Sequence, residues 1–154
     1  MVLPDDDSAN TVRPESVRTP SELDLILDYV LDHDQPHPPV LVVRERPRVL
    51  DGRFPDHQIK IDVSREAQLG AILCQGPPDF APDAVLDDPE GGTWVTRSDV
   101  VDPDAPPLYI DKATPTEFPA DAVIPLAQWR KALGELLATG RRPTCVDWQD
   151  SDVF

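Results

Sequence analysis

Two capped amphipathic stretches, one near each end of the chain, enclose a middle that reads only as short extended segments, and this arrangement constrains the fold most. The first, "TPSELDLILDYVLDH" at residues 19–33, opens with Thr19 as a helix cap, Pro20 at the first helical position and Glu22 placed to reach back to the cap. Leu23, Ile26, Leu27, Val30 and Leu31 then form one stripe at helical spacing. The second starts at Pro125 and stops at Gly140, with Leu126, Trp129, Leu133, Leu136 and Leu137 on its inner face. Both stripes need a sheet or a partner helix to cover them.

The segments between them supply a sheet. Val40–Val43 is short and β-branched, and residues 57–64 alternate Ile59, Ile61 and Val63 with Lys60 and Asp62, which predicts one buried and one wetted face. Residues 67–74, 92–97 and 107–111 are further strands, Gly91 and Gly92 suit a turn or bulge, and Thr144, Val146 and Trp148 alternate in a last one. At 154 residues the chain has room for one core. The expectation is a single α+β domain, with an antiparallel or mixed sheet of about five or six strands packed on two main helices. Residues 1–18 read as an N-terminal arm, 19–150 as the domain and 151–154 as a tail.

Charge limits the partners. The chain holds 29 acidic and 14 basic residues, a formal charge of −15, which repels nucleic acid and anionic membrane surfaces and favours a basic protein. No stretch approaches the roughly 20 apolar residues of a membrane span, and the start lacks a secretion-signal pattern, so a cytoplasmic location is expected. Cys74 and Cys145 lie far apart in apolar surroundings and suit reduced thiols, and His33, His37 and His57 fit no metal spacing and read as surface or loop residues. No cofactor is implied. Arg141 and Arg142 suit the negative end of the second helix. Neither a nucleophile elbow nor a phosphate-cradling glycine loop occurs, which leaves a Cys145-dependent enzyme as a third reading behind a binding protein and an acidic adaptor.

The densest carboxylates outside the arm lie between Gln75 and Asp104: Asp79, Asp83, Asp87, Asp88, Glu90, Asp99, Asp102 and Asp104, against Arg97 alone. Such a run is either simply solvated or a contact surface. Read as a contact surface, it takes in Trp94, the tryptophan placed nearest an interface, whereas Trp129 and Trp148 read as core. The arm, with Asp5, Asp6 and Asp7, competes for the same role.

The helix "TPSELDLILDYVL", the strand "GGTWVTR" and above all the tail "FPADAVIPLAQWRKALGELLATGRRPTCVDWQ" resemble immunity family one of the bacterial polymorphic toxin systems. The resemblance spans most of residues 19–149 and is strongest over 118–149; where the family often reads "GGRRPT", this chain has a single Gly140. It implies a small α+β protein that is not an enzyme. Such a protein binds and neutralises a cognate toxin, often a deaminase-fold domain attacking nucleic acid, with the shared motif fixing the fold and the acidic loops setting specificity.

Overall fold

The computed structural model describes residues 16–153, so Asp5, Asp6 and Asp7 of the expected arm lie outside the described residues. In chain order the elements are α1 (Pro20–Asp32), β1 (Val40–Leu41), β2 (Arg48–Val49), β3 (Phe54–Pro55), β4 (Gln58–Ser64), β5 (Leu69–Gly76) and β6 (Gly92–Arg97). They continue with β7 (Tyr109–Asp111), β8 (Thr116–Glu117), a 3-10 turn at Ala120–Ala122, β9 (Ile124–Pro125), α2 (Leu126–Thr139) and β10 (Asp147–Asp150). The main sheet runs β1-β4-β5-β6-β10 with every neighbouring pair antiparallel, and β9 joins it at the Leu69 end of β5. This is the expected α+β domain, with a six-stranded antiparallel sheet and two helices. β2–β3 and β7–β8 form two separate hairpins.

Local chemistry sets the helices. The Glu22 amide donates to Thr19 Oγ1 at 3.2 Å while the Thr19 amide donates to Glu22 Oε2 at 3.2 Å, completing the reciprocal cap of α1. Leu23, Ile26, Leu27 and Val30 are buried, and Leu31, at the edge of the stripe, only half-buried. α2 ends at Gly140, whose φ of 68° is left-handed and whose amide donates to Leu136 O at 2.8 Å. Trp129 is fully buried and its ring lies over Gly70, where a Cβ would stand 2.6 Å from the indole. Only glycine lets that ring reach the sheet. Arg130 pairs with Asp28 and, at 3.7 Å, with Asp24, which ties the two helices together.

The sheet is covered on both faces. Ile59, Ile61, Ile72, Cys74 and Trp94 meet the helices, whereas Ala71, Leu73 and Val95 meet Leu108, Ile110, Phe118 and Ala122 of the β7–β8 region. This back layer overturns the expectation of a wetted face on β4. Asp62 is buried: its Oδ2 accepts from the Tyr109 amide at 2.7 Å and its Oδ1 from the Val63 amide at 3.0 Å. The two bonds fasten β7 to β4, and burial raises the carboxyl above its ordinary value. Lys60 is half-buried. Two strands are also displaced from their expected limits: the last begins at Asp147, not Thr144, and β5 occupies 69–76, not 67–74. Val17, assigned to the arm in the sequence, is buried in the helix-side core.

Candidate partner interface

The eight carboxylates do not form one surface. Residues 77–91 leave β5 at Gly76 and enter β6 at Gly92, which is its register partner, whereas residues 98–107 leave from the other end of β6 at Arg97. At about 3.4 Å per residue the ends of that strand lie about 17 Å apart. Asp79, Asp83, Asp87, Asp88 and Glu90 therefore belong to one end of the sheet, and Asp99, Asp102 and Asp104 to the other.

The 77–91 segment is anchored at its root. Phe80 is fully buried and Ala81 nearly so, so this carboxylate-rich stretch still sends an aromatic into the core. The Phe80 ring packs over Gly76, where a Cβ would meet it at 2.6 Å. Around it lies a charged cluster. Arg46 Nη2 pairs with Asp79 and with Asp56, each at 2.9 Å, and its guanidinium sits 5.3 Å from the Phe80 ring centre. His57 lies beside the same ring and is buried, not the surface residue expected. Its Nε2 accepts from the Val43 amide at 2.7 Å, so the ring proton is on Nδ1 and is donated to Asp56 Oδ1 at 2.7 Å. Burial lowers the His57 ring despite the pull of Asp56. Burial alone would raise the Asp56 carboxyl, but Arg46 and His57 hold it below the ordinary carboxylate value.

Arg142 is the second staple. Its amide donates to Phe80 O at 2.8 Å and its Nη2 pairs with Asp83 at 3.0 Å. The side chain is buried, with the guanidinium 4.7 Å from the Trp94 ring centre and 5.3 Å from that of Trp148. It is a packed residue facing two indoles, where the sequence suggested only a charge at the negative end of the second helix. Trp94 is only 2% exposed. The interface role expected of it is corrected: the ring is part of the floor that holds the loop. Asp79 and Asp83 thus have arginine partners within the chain. Asp87, Asp88 and Glu90 remain exposed, as does Val85 just before them, which is 92% exposed. At the far end Asp99, Asp102 and Asp104 flank the exposed Val100 and Val101.

The tail motif is held from α2. Glu135 accepts from the Thr144 amide at 2.8 Å, the Thr144 hydroxyl at 2.7 Å and the Cys145 amide at 3.0 Å. Burial works to raise its carboxyl, but these donors win and hold it at about 2, against 4.5 ordinarily. A carboxyl depressed on folding stabilises above its unfolded pKa and stops doing so as pH falls through the folded one. Glu135→Gln is therefore expected to cost about 2 kcal/mol at neutral pH, with the gap to the parent closing as pH drops from 4.5 towards 2. Urea unfolding across that range checks it; a gap independent of pH would contradict it. Burial and then the Glu135 carboxylate push the Cys145 thiol up to about 11. The thiol is thereby held in its protonated form at neutral pH, which works against a thiolate nucleophile at this position.

One surface feature went unread in the sequence. β2 and β3 are joined by a turn in which Asp51 and Gly52 have φ of 59° and 79°, and the Arg53 amide donates to Leu50 O at 3.3 Å. The hairpin signal is Asp-Gly between Val49 and Phe54. Val49, Leu50 and Phe54 are 45%, 70% and 56% exposed.

Among the described residues no helix is long and apolar enough to cross a membrane, and no group of three or more His, Cys, Asp or Glu side chains is placed to hold a metal ion. A family model described as immunity protein Imm1 matches residues 12–150. No curated protein matches the chain.

Proposed function

Because the chain belongs to the Imm1 family of immunity proteins, we propose that it acts in the cytoplasm as the antitoxin of a cognate polymorphic toxin, a basic domain of the deaminase type that attacks nucleic acid. It works by binding and occlusion, without catalysis of its own. A toxin that acts on nucleic acid needs a positive path for the phosphates. A protein of charge −15 is drawn to such a path and covers it. The observation that carries this reading is the exposure of Val85 and of Asp87, Asp88 and Glu90 just after it, on a segment stapled at its root by Arg46 and Arg142. Exposed carboxylates steer the encounter, the valine supplies apolar contact, and the anchored root limits the ordering cost on binding.

Co-expression tests it. The C-terminal domain of any large secreted protein encoded beside this chain is the candidate toxin, expressed with and without the chain; survival only in the chain's presence is the expected result. Binding without rescue would identify an adaptor instead, and no binding would remove the toxin assignment.

A further inference from the structure

We propose that the β2–β3 hairpin is the apolar anchor of the complex, seating Val49, Leu50 and Phe54 in an apolar recess of the toxin domain whose border carries carboxylates. The inference rests on the antitoxin reading and adds the element that confers tight binding. The three side chains, all at least 45% exposed, belong to neither core cluster. Clustered apolar exposure on an eight-residue hairpin contributes nothing to the packed interior and favours contact with another surface.

The tip is also pre-shaped. Leu50 itself has a φ of 51°, a left-handed conformation that a residue with a Cβ rarely adopts. Arg48 folds across the turn, its Nε donating to Gly52 O at 2.7 Å and its Nη2 to Arg53 O at 3.0 Å. The turn carbonyls are thereby satisfied within the hairpin, and the side chains are presented on a fixed frame.

Charge selects the occupant. Arg46 is neutralised by Asp56 and Asp79, but Arg44, Arg48 and Arg53 stand exposed against Glu45 and Asp51, a locally basic island in a chain of charge −15. A uniformly basic partner would attract the acidic loop and repel this island. A nucleic-acid enzyme carries both signs, with cations along the phosphate path and carboxylates at the reacting centre. The hairpin and the acidic loop address the two together, because they share a root: Arg46 bonds both Asp56, just after β3, and Asp79 of the loop. Gln58 pairs with Gln75 at the same end of the sheet.

The probe is the purified toxin domain that the co-expression test identifies, with the double variant Leu50→Ser/Phe54→Ser set against the native chain. The expected result is a Kd weakened about 30-fold or more, mostly through faster dissociation, with an unchanged melting temperature and an unchanged salt slope. Equal affinity overturns the hairpin anchor alone; failure of the native chain to bind the domain overturns the antitoxin reading beneath it. Hydrogen exchange on the native complex covers the case of a variant that does not fold: protection of residues 49–54 on binding is expected, and its absence overturns the proposal. A native dimer that the double variant disperses in sedimentation would overturn it too, by assigning the hairpin to a second copy.

Discussion

Arg142→Ala is expected to lower stability by about 3 kcal/mol, a fall of roughly 10 °C in Tm for a chain of this size. The guanidinium faces two indoles and an aspartate, and its removal leaves a hole between Trp94 and Trp148 and frees the root of the 77–91 segment. Asp83 is partly exposed, so water compensates the lost ion pair, and the larger share of the effect is lost packing. Arg142→Met should recover most of the loss, because an unbranched apolar side chain refills the space without a buried charge. Thermal melts decide it. If alanine and methionine were equally harmful, the ion pair would be the main contributor; if both were harmless, the staple would be irrelevant to the fold.

Reversal of Asp87, Asp88 and Glu90 to lysine is expected to slow association with the toxin domain roughly 10-fold or more at low salt. The salt dependence should flatten, while stability stays nearly unchanged because exposed charges contribute little to folding. The same reversal at Asp99, Asp102 and Asp104 should have a much smaller effect. Those residues stand at the opposite end of β6, away from the hairpin and the stapled loop. Stopped-flow association at several salt concentrations separates the two sets. Equal slowing by both would mean that only net charge steers the encounter.

Both helices were legible in the sequence because their signals are local. Thr19 and Glu22 form the reciprocal cap they encode, Gly140 takes the left-handed stop, and the stripes through Leu27 and Trp129 are buried. Five of the six main-sheet strands were legible to within a few residues; β9 was not, and the strand expected at 107–111 lies in the separate β7–β8 hairpin. What failed depends on distant contacts. Asp62 lies buried because a hairpin nearly fifty residues later covers its face, and alternation alone cannot distinguish a wetted carboxylate from one bonded to a passing strand. Trp94 and Arg142 meet across a similar separation, so the aromatic beside an acidic loop looked like an interface residue and the arginine after a helix showed no aromatic partners. Composition drew the eye to the carboxylates of 77–91 and hid Phe80, the buried aromatic that, with Ala81, roots the stretch in the core. The β2–β3 hairpin is different: Asp51-Gly52 is a short-range turn signal, and it was overlooked beside the longer acidic run.

The central claim, inhibition by occlusion of a nucleic-acid path, is tested most directly by titrating the toxin domain's activity on its nucleic-acid substrate with the purified chain. The account predicts stoichiometric loss of activity, competition between chain and substrate, and a weaker effect as salt rises. Tight binding that leaves turnover and substrate affinity unchanged would contradict it.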